Sequence, residues 1–469
     1  MTSAPSAASS APDPALRRAA IVVATLGAFL TPFTSSAVNL ALPTIGRTFG
    51  ASAVTLGWIS TVNILAAAAL VVPFSRLADL HGRRRVFLIG VVAFTAASLW
   101  AGVAPSISQL LAARATQGAG AAAMFGTGVA ILTSVLPPGE RGRALGLNTA
   151  AVYLGLSLGP TLGGWLTGAF GWRSVFLVNV VVGAALLVAL RGLRGEWAGA
   201  RGEPFDLAGA VLYVATQLAL LLGLSRLTTP PGAALALGGL CGLGVFVWWE
   251  GRAQSPVLDL SLFRANTVFA LSSLAAFLNY AATSAVGFLA SLYLQFVRGL
   301  SPGAAGFVLL SQPLLMMLVS PVAGALSDRV EPRVPASTGM ALSALGLAGL
   351  ACVGPATPLP WIVAALVVLG TGFGLFTSPN TNAAMGAVEP RRYGVASGFL
   401  GTMRLTGQVF SMALAMLILS LRLGHVAAAQ APPAALVGAL RAALALFASL
   451  CALGVLPSLA RGRVRPAAG

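Results

Sequence analysis

The chain has 469 residues, of which 57% are apolar and only 8% are charged, and its mean hydropathy is +0.89. A soluble domain averages roughly 45–50% apolar and about 25% charged residues. The composition therefore excludes an ordinary soluble enzyme, a coiled coil and a disordered protein, and it predicts a membrane protein. The net charge of +17 comes from arginines that stand singly or in short groups between apolar runs, a distribution that orients helices in a bilayer and argues against nucleic-acid binding.

Fourteen segments approach the length of about 20 apolar residues that a membrane-spanning helix needs. Two six-helix bundles are expected over residues 19–190 and 266–459, joined by a linker, 191–265, that holds two extra helices. Residues 1–18 are expected to be a disordered cytoplasmic N-terminus and residues 460–469 a cytoplasmic tail. The predicted spans cover roughly residues 19–43, 55–75, 86–104, 108–136, 144–169, 173–190, 206–226, 233–249, 267–297, 304–326, 334–353, 360–386, 395–421 and 438–459.

The arginines predict the orientation. With the N-terminus inside, 20 of the 28 basic residues, Arg461 in the tail among them, fall on the cytoplasmic side, 6 fall outside, and Arg114 and Arg404 fall within spans. Both termini are therefore expected in the cytoplasm of a multi-pass protein of the cytoplasmic membrane. All 11 acidic residues also fall on the cytoplasmic side, so we expect no carboxylate at the bilayer midplane.

Two of the predicted cytoplasmic connections resemble each other. Residues 75–85 read SRLADLHGRRR and residues 324–333 read GALSDRVEPR, with Asp79 and Asp328 at corresponding places. The distance between them corresponds to six spans plus the extra pair. An internal repeat of this kind is typical of transporters that are built from two related halves.

Six short motifs follow one another along the chain. They are the loop of residues 75–85 (with Ser75 in place of the usual Gly), Arg114-Ala-Thr-Gln117-Gly118-Ala-Gly120, Gly155-x-x-x-Gly159-Pro160-x-x-Gly163-Gly164, Phe205–Gly209, Pro256–Leu260 and Pro379-Asn380. With these motifs the sequence resembles the major facilitator superfamily, and within it the fourteen-span drug:proton antiporter branch. The resemblance implies an all-α membrane protein with two six-helix bundles and an extra helix pair, and it implies transport by alternating access.

Span 1 departs from the pattern of that branch. The branch usually carries an aspartate a few residues before a V-N-x-A-L-P segment, and here Thr34 stands at that position before Val38–Pro43. A carboxylate buried in a membrane suits proton binding because burial raises its pKa toward the working pH. Thr34 cannot titrate in this way, so proton coupling through span 1 is not expected.

The resemblance implies that the loop after span 2 clamps the cytoplasmic side of the transporter. Asp79, Arg83 and Arg84 would form this clamp, with Asp328 and Arg329 as a weaker copy in the second half. An anion near a helix N-terminus and cations facing lipid headgroups are both favourable. The alternative is a loop that only sets the topology.

Arg114 and Arg404 are the two candidate cations within spans. An arginine at the bilayer centre costs at least about 2.5–3.5 kcal/mol, so each should face a cavity or a polar cluster. Arg114 is expected to couple transport or contact substrate, unless backbone carbonyls and hydroxyls between spans 1 and 4 hold it in a structural role. Arg404 is expected on the transport path, unless its side chain reaches the inner interface. Two unopposed cations would favour anionic or zwitterionic substrates.

The glycines of span 5 are candidates for a gating seam. At spacings of four, Gly155, Gly159 and Gly163 allow close helix approach, and Pro160 adds a kink. We expect a pliable seam between the two halves here, with plain small-residue packing as the alternative. Glycines at 370, 372 and 374 do not indicate a nucleotide loop, because they lie inside a span with no strand before them.

Uncharged polar side chains recur in spans 1, 2, 4 and 5 and again in spans 9, 10, 12 and 13, which favours a central cavity between the halves. Some of them must instead be hydrogen-bonding contacts between helices. The candidate cavity residues are Thr34, Asn39, Asn63, Gln117, Asn148, Asn279, Tyr280, Gln312, Asn380, Arg404 and Gln408.

The pattern as a whole predicts a secondary transporter that exports an amphiphilic small molecule, drug-like, anionic or lipid-like. The alternative is a uniporter or a carrier not coupled to protons, including a lipid or lysolipid carrier; a non-transporting membrane sensor is more remote. The spans lack the acid–base pair or metal cluster that an enzyme would need. We expect a monomer whose partners are its substrate, membrane lipids and protons as a candidate coupling ion, with no cofactor, metal, catalytic residue or nucleic acid.

Overall fold

The computed structural model describes residues 13–50, 53–227, 229–258, 260–264, 266–300, 302–423 and 432–462, and this part of the chain is helical with no strand. Short 3₁₀ turns follow α6 and precede α16. The helices are α1 (Pro14–Phe49), α2 (Ala53–His81), α3 (Arg83–Val103), α4 (Ile107–Val135), α5 (Pro138–Phe170), α6 (Arg173–Ala189), α7 (Leu207–Ser225), α8 (Pro230–Glu250), α9 (Ser261–Arg264), α10 (Thr267–Thr283), α11 (Val286–Leu292), α12 (Pro302–Leu309), α13 (Ser311–Arg329), α14 (Arg333–Ala351), α15 (Leu359–Gly386), α16 (Tyr393–Leu423) and α17 (Pro433–Ala460).

The helices form two bundles with the same packing pattern. In the N half, α1–α6, α4 packs between α2 and α3, and α5 packs along α1; in the C half, α10–α17, α15 packs between α13 and α14, and α16 packs along α10. The pair α7–α8 packs through α7 on α2 and α16. The predicted architecture of two six-helix bundles with an extra pair is confirmed.

Thirteen segments of the described residues are long and apolar enough to cross a membrane. The remaining long helix, α5, has 33 residues but is rich in glycine and polar side chains. Two predicted spans are not single helices. Span 9 is α10 and α11 followed by a π turn over Tyr293–Val297, and span 10 is α12 and α13.

One end of the molecule holds most of the sites discussed below, and we call it the arginine-rich end. It is where α2, α4, α6, α8, α13, α15 and α17 end and where α1, α3, α5, α7, α10, α14 and α16 begin. The turn between α2 and α3 consists of Gly82 alone, with φ of 114°. This left-handed region strains a residue with a Cβ and suits glycine.

Candidate gate and central cavity

The carboxylate of Asp79 lies near the end of α2 and connects the two halves. It is fully buried and accepts hydrogen bonds from Arg83 Nε at 3.0 Å and Nη2 at 2.7 Å. It also accepts from the main-chain N–H groups of Gly394 and Val395, at 3.0 and 2.9 Å, in the first turn of α16. An anion at this position accepts hydrogen bonds from N–H groups that have no partner within the helix, and it interacts favourably with the positive end of the helix dipole. Asp79 therefore fastens α16 of the C half to α2 of the N half.

Arg83 extends the same contact. Its guanidinium donates to the carbonyl oxygen of Pro390 at 2.6 Å and to the hydroxyl of Ser134. The ring of Tyr393 lies 5.4 Å from Arg83 and 5.4 Å from Arg141, within the range of a cation–π contact. Arg83 therefore pairs with Asp79 inside the N half and binds the turn that leads into α16.

Asp328, near the end of α13, makes the corresponding contact from the C half. Its Oδ1 and Oδ2 accept from the main-chain N–H groups of Gly142 and Arg143, each at 2.8 Å, near the start of α5. The amide of Asn382 donates to Ser327 Oγ at 2.9 Å and lies 3.4 Å from Asp328. Each half thus contributes one carboxylate that binds the beginning of a helix in the other half.

Glycines let the helices of the two halves approach closely beside both carboxylates. A Cβ built on Gly394 would lie 2.6 Å from the carbonyl oxygen of Ser75. A Cβ on Gly146 would lie 2.5 Å from the carbonyl oxygen of Ser320, and one on Gly142 would overlap the backbone of Gly324. Small residues at helix contacts allow such backbone approach in membranes. The arginine-rich end is therefore closed by direct packing of the two halves.

The glycine motif around Gly159 and Pro160 does not lie between the two halves. Gly155, Gly159 and Gly163 pack against Phe29, Phe33, Ser36 and Ala37 of α1, inside the N half. That part of α5 packs within one bundle, whereas the first turns of α5 meet α13 across the halves. The expectation of a seam between the halves at this motif is wrong, because the motif faces the neighbouring helix of its own bundle.

Arg114 is buried in the N half, between α4 and α2. Its Nε donates to the carbonyl oxygen of Ile59 at 3.0 Å, and its Nη1 donates to Gln117. Gln117 in turn donates to Ser98 at 2.7 Å, and Asn63 donates to the carbonyl oxygen of Arg114 at 3.2 Å. Arg114 Nη2 is buried without a hydrogen-bond partner, and no described carboxylate pairs with this guanidinium.

Arg404 faces the boundary between the halves. Its Nη2 donates to Thr381 at 2.6 Å, and its guanidinium lies 5.9 Å from the ring of Phe125 in the N half and 5.9 Å from the ring of Tyr280 in the C half. A cavity of about 10 Å³, the size of one water, is lined by Arg404 and Thr381 together with Phe125, Val129, Ser397, Leu400 and Gly401. Arg404 is therefore a cation beside a space between the bundles.

Three aromatic rings continue from this cavity across the boundary. Tyr153 of α5 meets Phe373 of α15 edge to face at 5.8 Å, and Phe373 meets Tyr280 of α10 at 5.1 Å. Met316 of α13 completes the cluster. Since Tyr153 belongs to the N half and the others to the C half, the cluster joins the bundles in the middle of the molecule. The predicted residues Tyr280 and Arg404 are thus brought together.

Of the other predicted cavity residues, Thr34 and Asn39 bind neighbouring helices. Thr34 is buried and donates to Asn179 of α6 at 2.8 Å, and Asn39 accepts from Ser60 at 2.7 Å. Asn148 Oδ1 and both side-chain polar atoms of Asn279 are buried without a partner. Gln312 lies on α13 and Gln408 on α16, both half-buried. Arg84 is half-buried near Asp79, and Arg329 is exposed.

Arg461, assigned to the tail from the sequence, is a buried residue of the C half. It is 1% exposed, and it donates to Asn380 at 2.7 Å and to Ser272 and Ser458 at 3.1 Å each. Burial lowers the pKa of Arg461 to about 10, so it is charged at neutral pH. Asn380 therefore holds the end of α17 instead of facing the cavity. The sequence does not predict this site, because Ser272 and Asn380 are far from Arg461 along the chain and only Ser458 is close to it.

The described carboxylates lie in connections or within the outer turns of helices, as the sequence predicts. Asp13 and Asp206 cap α1 and α7, Glu250 ends α8, and Asp328 lies one residue before the end of α13. Asp259 lies outside the described residues. Arg114 is the eighth residue of α4 and Arg404 the twelfth residue of α16, and no carboxylate of the described residues lies as far from the end of a helix.

Comparison with known proteins identifies the family. Residues 24–412 and 272–467 match the model of the Major Facilitator Superfamily. The chain belongs to the major facilitator superfamily. The multidrug resistance protein Stp of Mycobacterium tuberculosis (strain CDC 1551 / Oshkosh) is 35% identical over 399 residues, which cover 84% of this chain and 74% of that protein. The cephamycin export protein CmcT of Amycolatopsis lactamdurans is 37% identical over 414 residues, 85% of this chain and 84% of that protein.

A solved structure supports the same fold. The human organic anion transporter MFSD10 (TETRAN) superposes with a TM-score of 0.67 over 95% of this chain and 100% of that chain, at 16% sequence identity. At that identity the likeness concerns the fold alone. As a member of this superfamily, the chain is a multi-pass membrane protein, and its relatives indicate a transporter rather than an enzyme.

Proposed function

We propose that the protein is a fourteen-span secondary transporter that exports an amphiphilic small molecule across the cytoplasmic membrane by alternating access. The observation that carries this proposal is the pair of reciprocal contacts at the arginine-rich end. Asp79 of the N half binds α16, and Asp328 of the C half binds α5. Such contacts close one side of a path between two bundles and can be released without unfolding either bundle.

The arginine-rich end is assigned to the cytoplasm in this proposal, because connections rich in arginine stay on that side. The described structure would then be closed inside. Arg404, Tyr280 and the cavity beside them would lie at the inner limit of a path that opens to the outside. The names of the two relatives, a multidrug resistance protein and a cephamycin exporter, favour export as the direction.

A second candidate is a uniporter, or a carrier that is not coupled to protons, including a lipid or lysolipid carrier. It is favoured by Thr34, which is buried against Asn179 where the related branch has an acid, and by the lack of a carboxylate in the middle of the described helices.

Flux of a dye in proteoliposomes with an imposed pH gradient separates these candidates. Gradient-dependent flux supports the antiporter, and equal counterflow with and without a gradient supports the uniporter. Arg114→Ala is expected to lower gradient-driven flux at least tenfold if the arginine takes part in coupling, because a buried guanidinium with an unbonded Nη2 inside a membrane span is characteristic of a functional site. Equal flux in this variant would assign Arg114 to helix packing.

The charge of the substrate is tested in the same system. Since Arg404 is a cation beside the cavity, we expect a sulfonated anionic dye to move faster than a cationic dye of similar size. Arg404→Gln should remove most of that preference. The change can be judged against Arg329→Gln, an exposed arginine outside the cavity. Preference of the unaltered protein for the cationic dye would reject the anionic assignment.

A further inference from the structure

The segment between α6 and α7 covers the contact that Asp79 makes. The main-chain N–H of Ala200 donates to the carbonyl oxygen of Asp79 at 2.9 Å, and the N–H of Arg83 donates to the carbonyl oxygen of Trp197 at 2.9 Å. Glu203, later in the segment, pairs with Arg76 of α2 at 2.6 Å. Residues 193–206, which we call the strap, therefore lie along the end of α2 and the start of α3.

The strap also supplies the acceptors for the first turn of α3. The carboxylate of Glu196 accepts from the main-chain N–H groups of Arg84 at 2.9 Å and Arg85 at 3.2 Å. With the bond from Arg83 to Trp197, the first three N–H groups of α3 are bound by strap residues. These groups have no partner within their own helix. A Cβ on Gly82 would lie 2.6 Å from Glu196 Cγ, so the bare backbone of the turn makes room for this side chain.

The strap then crosses to the other half. Gly199 packs so closely on Arg391 that a Cβ there would overlap the Arg391 main chain, with the Arg391 carbonyl carbon 2.6 Å away. Arg391 belongs to the short turn Pro390–Arg392, which leads into the first turn of α16 that Asp79 binds. One continuous segment thus binds the α2–α3 turn with Glu196 and meets the α16 turn with Gly199.

We propose that Glu196 and Gly199 are positioning residues of the gate. Glu196 holds the α2–α3 turn, and with it Asp79 and Arg83, in the place where they reach α16. Gly199 holds the Pro390–Arg392 turn against the strap and separates from it when the arginine-rich end opens. The connection to the extra helix pair is then a third element of the closure, beside the two carboxylates. The inference rests on the proposed alternating access.

The experiment measures the distance across the arginine-rich end. Spin labels are placed on Arg191→Cys, after α6, and Val334→Cys, in the first turn of α14; both positions are exposed, and the exposed Cys241 and Cys352 are replaced by serine. Pulsed electron–electron resonance in nanodiscs then gives the ratio of open to closed molecules. Asp79→Asn serves as the reference that weakens the gate directly.

We expect Glu196→Ala and Gly199→Ala each to raise the open-to-closed ratio about tenfold. Glu196→Gln, which keeps an acceptor oxygen, should raise it by a smaller factor and remains informative if the alanine variant does not fold. Gly139→Ala is the matched control for Gly199, since a Cβ there meets nothing within 4 Å at the same end of the molecule.

Two results would overturn the inference and are distinguishable. If Asp79→Asn shifts the ratio while Glu196→Ala, Glu196→Gln and Gly199→Ala leave it unchanged, the strap has no part in a gate that does exist. If Asp79→Asn also leaves the ratio unchanged, the gate at this end fails, and the proposed alternating access fails with it.

Discussion

Asp79 and Asp328 stand at corresponding places near the ends of α2 and α13, and each accepts two main-chain N–H groups from a helix of the opposite half. Their surroundings differ. Asp79 is fully buried and is paired with Arg83 at 2.7 Å, whereas Asp328 is half-buried. The comparison shows that the same pair of hydrogen bonds between the halves can form at a buried, ion-paired carboxylate and at a half-buried one.

The strap adds to the difference. The strap donates a hydrogen bond to the main chain of Asp79 in the N half, and it packs against Arg391 of the C half. Charge-assisted bonds gain strength where water is excluded, and their loss costs more there. We therefore expect the contact of Asp79 with α16 to be the stronger of the two and to be released last when the end opens.

The largest expected effect is that of Asp79→Asn. The change neutralises a carboxylate that accepts four hydrogen bonds, and it leaves the buried guanidinium of Arg83 without its counter-ion. Loss of one partner of a buried pair costs roughly 3–5 kcal/mol. Dye flux in proteoliposomes should fall at least tenfold at equal protein content. Flux within twofold of the unaltered protein would contradict a gating role for this residue.

Asp328→Asn should have a smaller effect of the same kind. It weakens two charge-assisted bonds to backbone N–H groups, worth roughly 1.5–3 kcal/mol each, but at a half-buried position. The open fraction reported by the Arg191 and Val334 label pair should rise, and by less than in Asp79→Asn. If Asp328→Asn opened the end more than Asp79→Asn, the order of strength proposed here would be reversed.

Gly142→Ala tests the packing that accompanies the Asp328 contact. The added methyl would overlap the Gly324 backbone, and forced contacts of this size cost about 1–3 kcal/mol. The midpoint of thermal unfolding should fall measurably if the halves stay in contact. If the halves separate instead, the fraction of molecules closed at the arginine-rich end should fall. Gly139→Ala, three residues earlier and in open space, should change neither. Equal behaviour of the two variants would show that α5 and α13 are not in tight contact.

The smallest effect is expected for Arg329→Gln. Arg329 is exposed, and surface charges contribute about 0–1 kcal/mol. Dye flux should stay within twofold of the unaltered protein, whereas Arg83→Gln, which breaks a buried pair, should lower it strongly. Comparable losses in both variants would mean that the two arginines have equivalent roles despite their different burial.

Most of the architecture could be predicted from the sequence, because span length and hydropathy report the bilayer directly. The positions of the acids could be predicted for the same reason. The breaks at 284–285 and 310 were not predicted, because Thr283-Ser284 and Ser311-Gln312-Pro313 interrupt the apolar runs too briefly to divide a span by hydropathy. Asp79 was predicted as an anion at a helix N-terminus, but its partner α16 lies more than 300 residues away and leaves no local signal.

The sites were predicted less well, because a membrane helix is apolar on most of its surface and its sequence does not show which neighbour each face meets. Gly159 was expected between the halves and packs on α1. Thr34 and Asn380 were expected in the cavity and bind Asn179 and Arg461. The likeness of residues 324–333 to residues 75–85 predicted that Asp328 corresponds to Asp79. The sequence predicted a weaker copy of the first loop, but Asp328 binds two main-chain N–H groups of the opposite half, as Asp79 does.

The most direct test of the account follows both ends of the molecule at once. A second label pair, Gly168→Cys at the end of α5 and Ala356→Cys after α14, reports the end opposite to the Arg191 and Val334 pair. Alternating access predicts that Asp79→Asn widens the arginine-rich pair and narrows the opposite pair in the same molecules. If the first pair widens while the second stays unchanged, or if both widen together, the two ends are not coupled and the account is contradicted.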